Sequence, residues 1–165
     1  MLDPNLIAYL LAMAIRLSGL PGVAVDELPR IEILSGEALA SQVCPEDARK
    51  CAAIAAQFDA ESYRILVRDT LDLDDARGQS FVVHELVHVL QYRSQGGSMF
   101  ETCEAALQSE RAAYRTQNRF LAAMGKFGRE GAALAHMQCA ATQPVSVRNG
   151  GVGAEMRLEP VRNAY

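Results

Sequence analysis

Phe81-Val82-Val83-His84-Glu85-Leu86-Val87-His88-Val89-Leu90-Gln91-Tyr92 is an apolar run interrupted by two histidines and a glutamate. On a helix, residues four apart stand one turn above each other, so His84 and His88 project from one face toward one point. Two neutral imidazoles so placed can chelate a divalent zinc, a third protein ligand completes an open site, and Glu85 lies beside them as a base. Val82, Val83, Leu86, Val87, Val89 and Leu90 make this helix apolar nearly all round, which predicts a central, buried position. Buried ionisable groups need a strong partner, and a metal is one. The competing reading is a buried helix whose histidines are satisfied by ordinary hydrogen bonds.

The next helix, predicted over about residues 101–124, supplies the third ligand. Counting by helical steps, Cys103, Leu107, Glu110, Tyr114, Gln117, Leu121 and Met124 form one stripe, and Glu104, Gln108, Arg111 and Arg115 form another. The first stripe is mostly apolar and is expected to face the core. A carboxylate there needs a partner, so Glu110 is the expected metal ligand, whereas Glu104 can sit in water. A buried pairing of Glu110 with an arginine or a hydroxyl is the alternative. Gln91, one turn beyond His88, and Gln117, two turns beyond Glu110, are polar where apolar residues are expected. An amide offers both donor and acceptor, so these glutamines are expected to bridge the two helices and orient the ligands; otherwise they reach solvent at the rim.

His84-Glu85-Leu86-Val87-His88-Val89-Leu90-Gln91, then Cys103, then Glu110-Arg111-Ala112-Ala113-Tyr114-Arg115-Thr116-Gln117-Asn118-Arg119-Phe120-Leu121, resembles a family of short bacterial zincin-like proteins of gluzincin type. The resemblance runs from about Pro29 to Met124. It implies a zinc metallopeptidase in which His84, His88 and Glu110 hold the metal and Glu85 is the catalytic base. Many gluzincins have Asp four residues after the ligand Glu, and here that place is Tyr114, so the surroundings of the ligands are expected to differ. A metzincin is excluded, because its Gly and third His would fall on Gln91 and Ser94. Tyr92 and Tyr114 could donate to an oxyanion, although tyrosines at helical spacing are more often core residues. His136 lies on an alanine-rich stretch far from the motif and is not expected to be a ligand.

Away from the motif, Asp3-Pro4 reads as an N-cap and first helical position, and Gly19 with Pro21 closes a helix over residues 4–18. Its apolar centre resembles a signal-peptide core but opens on Asp3 without a basic cluster, and it is too short to span a membrane. It is read as a core helix, with any export signal expected to lie outside these residues. Arg30-Ile31-Glu32-Ile33-Leu34 alternates as a strand, and a short helix is expected over about 36–43. Ala53–Phe58 and Tyr63–Arg68 flank Asp59-Ala60-Glu61-Ser62 as a hairpin, although the alanine-rich first arm could be helical. Thr70–Gln79 reads as a loop, the motif helix ends at Gly96-Gly97, and Gly128–Ala141 reads as a helical stretch.

With 165 residues, half of them hydrophobic, and a formal net charge of -4, the chain suits one domain with a sizeable core. Its arginines form no basic stripe, so nucleic acid is not an expected partner. Neither cysteine spacing matches a Cys-x-x-Cys zinc site; four cysteines permit three pairings, of which the local one, Cys44 with Cys51 and Cys103 with Cys139, is the expectation. That pairing implies an oxidising compartment, periplasmic or extracellular; four reduced thiols in a cytoplasmic protein are the alternative.

These readings combine into an α+β, zincin-like domain over residues 1–143, mostly helical with a small sheet, and a tail over 144–165 that is a loose hairpin or disordered. The expected function is zinc-dependent hydrolysis of a peptide or protein substrate, with Glu85 as general base. An extended peptide is expected to pair with the strand Tyr63–Arg68 as if at a sheet edge. The rival is a zinc-containing binding or structural module without turnover, or one that needs a partner protein to complete its site.

Overall fold

The computed structural model describes residues 2–139. Four helices and a three-stranded sheet make an α+β fold, most of it helical. The predicted tail, 144–165, lies outside the described residues.

Helix α1 (Pro4–Ser18) starts where the Asp3 carboxylate accepts a hydrogen bond from Asn5 N, with Pro4 pre-set for the first turn. It stops at Gly19, whose φ of 75° turns the chain back so that its N–H reaches Ile15 O. Leu10, Leu11 and Ala14 bury one face of α1 in the main core, beside α3 and α4. This is the core helix expected from its apolar centre.

Strand β1 (Arg30–Leu34) is followed by α2 (Gly36–Val43), capped by the Ser35 hydroxyl, and by the hairpin β2 (Ala56–Asp59) and β3 (Arg64–Arg68). The turn is held by Asp59, whose carboxylate accepts from Glu61 N and Ser62 N. The sheet order is β1-β3-β2, with β1 parallel and β2 antiparallel to β3. That order corrects the expectation that Tyr63–Arg68 offers an edge to a peptide. Both rows of β3 backbone groups are already engaged, one by β1 and one by β2, and the sheet edges belong to β1 and β2.

The pleat then sorts the β3 side chains into two layers. Ile65 and Val67 face the main core with α1, α3 and α4, while Leu66 turns to the opposite face and packs with Leu39, Ala40, Cys51 and Ile54 under α2. All three are buried, as expected for a central strand covered on both faces.

Helix α3 (Ala76–Gln95) begins inside the stretch read as a loop from Thr70 to Gln79. The reason is local: Asp75 accepts from Arg77 N as N-cap, and Gly78, a loop signal in the sequence, is a helical residue chosen for space. The main-chain carbonyl of Asp72 lies where a Cβ at residue 78 would stand. Every residue from Ser80 to Gln91 is buried, in line with the central position predicted for this helix.

Helix α4 (Cys103–Ala123), capped by Thr102, packs along α3. Its core stripe holds from Leu107 to Leu121, but Met124 follows the last helical residue and is exposed. The stretch read as helical from Gly128 to Ala141 is instead, over its described residues, an irregular strap with a 3-10 helix at Ala132–His136; residues 140 and 141 lie outside the described residues. Gly131, at φ 74°, lies against the Tyr114 ring, where a Cβ would overlap ring atoms. A disulfide from Cys139 to Cys103 ties the strap to the start of α4, and a second joins Cys44 to Cys51.

Candidate metal centre

His84 and His88 leave the same face of α3, and Glu110 of α4 meets them. The two Nε2 atoms are 3.0 Å apart, Glu110 Oε2 lies 3.3 Å from His84 Nε2, and Glu110 Oε1 lies 3.3 Å from His88 Nε2. A four-coordinate zinc with bonds of about 2.0–2.1 Å spaces neighbouring donors by about 3.3 Å. The three side chains therefore have the separation such an ion requires.

The outer hydrogen bonds decide which imidazole nitrogens carry protons. Ser80 Oγ donates to Arg77 O, so it accepts from Gln117 Nε2, and Gln117 must turn its Oε1 to His84 Nδ1 at 3.0 Å. Gln91 Nε2 donates to Ser109 O, so its Oε1 faces His88 Nδ1 at 2.9 Å; the Ser109 hydroxyl donates to that same Oε1. An amide oxygen only accepts, so each Nδ1 carries its proton. In the neutral imidazoles the two Nε2 lone pairs then point at each other across 3.0 Å. That contact is repulsive unless a cation or a proton lies between them. Glu110 Oε2, buried and without a hydrogen-bond partner among the described residues, faces the same point. The donor set fits a divalent metal.

In the metal-free chain a proton takes the place of the cation. Burial alone pulls the His88 imidazole down, but the Glu110 carboxylate, with help from Glu85 and Gln91, outweighs it and holds His88 up at about 9. Burial likewise pushes Glu110 up, but the positive charge of the imidazoles beside it, His88 first, wins and holds it at about 2. Glu85 differs. Burial raises its carboxyl, against the lowering effect of the two histidines and of a backbone hydrogen bond.

That bond is the N–H of Phe58, on β2, donating to Glu85 Oε2 at 2.6 Å. It anchors the motif glutamate to the sheet and consumes an edge-strand donor. Tyr114 touches the centre with its ring: its ring centroid is 4.4 Å from that of His84 at an interplanar angle of 71°. Burial and the charges of Glu110, Glu85 and Glu130 raise the phenol, so it stays protonated. Tyr92 lies elsewhere, against Phe58 and Tyr63.

Of the residues singled out in the sequence, His84, His88, Glu110, Gln91, Gln117 and Tyr114 are brought together, and Glu85 adjoins them. His136 is not part of the ligand group, and Cys44, Cys51, Cys103 and Cys139 are all in disulfides. Ser80, Ser109 and the Phe58 N–H were not anticipated. Ser80 carried a signal, as a polar residue one turn before His84 on the same face; a main-chain donor carries none.

A family model described as "Domain of unknown function (DUF6647)" matches residues 17–130. The chain belongs to this family. The DUF6647 region contains β1 to α4, and with them every ligand and both orienting glutamines, but excludes Cys139. Comparison with curated proteins and with solved structures gives no match.

Proposed function

We propose that this DUF6647 protein is a zinc-dependent metallopeptidase with a zincin-like arrangement of its two long helices. The observation that carries the reading is the facing pair of His84 and His88 Nε2 atoms, 3.0 Å apart with both Nδ1 protons committed elsewhere, and Glu110 closing the third side. Two histidines and one carboxylate are the ligand set of catalytic rather than structural zinc, which usually has four protein ligands. Among the described residues the ligand group holds these three side chains.

Bound zinc would supply Lewis-acid polarisation of the scissile carbonyl and a water of lowered pKa. The chain's own residues do the rest. Gln117 and Gln91 hold the imidazoles in the tautomer that offers Nε2. Glu85, fixed by Phe58 N through Oε2, has its Oε1 without a hydrogen-bond partner among the described residues, free to take a proton from water and return it to the leaving amine. The two disulfides support an oxidising compartment, the periplasm or the exterior, over the cytoplasm. No helix among the described residues is long and apolar enough to cross a membrane.

One observation favours the rival, a zinc-containing module without turnover: His84, Glu85 and His88 are 1%, 2% and 5% exposed, so a peptide reaches them only if the cover moves. A peptide-library cleavage assay on zinc-loaded protein separates the two. The metallopeptidase cleaves, and Glu85→Gln keeps zinc while losing about 10²- to 10⁴-fold in rate. Stoichiometric zinc without cleavage of any library member supports the module, and unchanged turnover in Glu85→Gln removes that residue from the base role.

A further inference from the structure

A groove of about 870 Å³ lies between α3, α4 and the end of α1, near Ser18 and Leu20. Arg111, Arg115 and Arg119 line it, one turn apart along α4, and the rest of its polar wall is neutral, with Gln95, Gln108 and Thr116 prominent. Among the described residues no carboxylate lines it, in a chain with more acidic than basic residues. These three arginines correct the expectation that the arginines form no basic stripe; like charges one turn apart on a helix repel, so the stripe costs stability rather than adding it.

None of the three arginines is in an ion pair among the described residues. Two are nevertheless held in place. Arg111 donates to the main-chain carbonyls of Leu134 and Met137, and Arg119 donates to Leu17 O. Carbonyls fix a guanidinium without neutralising it. Arg115, between them, is exposed and makes no such bond among the described residues.

We infer that this groove binds a small polyanion through Arg111, Arg115 and Arg119, its oxyanion groups being phosphates or carboxylates. Arginine forks suit both, and the volume is that of a small-molecule site. The site is separate from the metal ligands. The groove reaches Gln91 and Ser109, on the Nδ1 side of His88, while His84, His88 and Glu110 do not line it.

Calorimetric titration of the zinc-loaded full chain at low ionic strength, with inorganic pyrophosphate and separately with citrate, tests this. Saturable binding of at least one is expected, weakened about 10- to 100-fold by Arg115→Glu and less by Arg115→Gln, with Lys50→Glu as a control of equal charge change. Tighter pyrophosphate assigns a phosphate-bearing ligand, and tighter citrate a polycarboxylate. Binding of neither overturns the proposal. So does binding that Arg115→Glu leaves unchanged, since both probes can chelate zinc and that result would place them on the metal.

Discussion

Gln117 of α4 and His84 of α3 are joined at 3.0 Å, amide oxygen to Nδ1, and the same glutamine reaches Ser80 on α3 with its Nε2. Gln91 makes the reciprocal link, from α3 to Ser109 on α4, while holding His88. The two helices that carry the ligands are thus tied by the groups that orient them, and ligand geometry and helix packing are one problem.

Removing either tie should loosen the metal. Gln117→Leu and Gln91→Leu are each expected to weaken zinc binding about 10- to 100-fold, with Glu110→Gln far worse and the exposed Glu104→Gln close to wild type. Competition against a chromogenic chelator measures all four. Equal affinities in the Glu110 and Glu104 variants would contradict the ligand assignment.

Proton release should accompany zinc binding. His88 is held at about 9 in the metal-free chain, so at pH 7 to 8 the metal displaces about one proton, and apparent affinity should rise with pH until about 9. Titration calorimetry in buffers of different ionisation enthalpy counts that proton. A count near zero at pH 7.5 would show that His88 is already neutral.

Metal-free stability should vary with pH in the way the same pair dictates. His88 is raised, so its contribution is complete below its ordinary pKa of 6.5 and is lost as pH climbs through about 9. Glu110 is lowered, so its contribution is complete above 4.5 and is lost as pH falls through about 2. Urea melts of chelator-treated protein should therefore place the pair's full contribution between about pH 4.5 and 6.5. A midpoint that rises steadily from pH 6 to 9 would argue against the paired state.

Gly78→Ala should be destabilising although the site is helical, where alanine is ordinarily favoured. The new methyl would overlap the Asp72 carbonyl, a main-chain atom that cannot rotate aside, and overpacking of this kind costs about 1–3 kcal/mol. A urea midpoint equal to or above that of the parent would mean the 70–75 segment yields freely.

Unreduced protein should be four hydrogens lighter than reduced protein, two for each of the bridges Cys44–Cys51 and Cys103–Cys139. Replacing Cys103 and Cys139 with serine should cost about 2–4 kcal/mol, as it frees the strap that covers Tyr114. Mass spectrometry and denaturant melts read the two effects. Four free thiols in protein recovered from an oxidising compartment would contradict both.

Much of the centre follows from helical periodicity and can be read along the chain. His84 and His88 share a face because they are four apart, and Glu110, Tyr114 and Gln117 share a stripe because they recur every three or four residues. Caps are similarly local: Asp3, Ser35 and Thr102 each reach an N–H two or three residues away. Gly78 misled because a glycine's composition signal does not say whether it is needed for its dihedral freedom or for its lack of a side chain.

What only the tertiary structure decided are contacts between residues 18 to 37 apart in the chain. Ser80 with Gln117, Ser109 with Gln91, and the Phe58 N–H with Glu85 depend on how closely α3 and α4 approach and on which strand lies against α3. Interdigitating side chains set those distances, and no periodicity encodes them. The sheet order is of the same kind. Whether Arg64–Arg68 is an edge or a centre turns on β1 pairing beside it across the intervening chain, and alternation within the strand is identical in both cases.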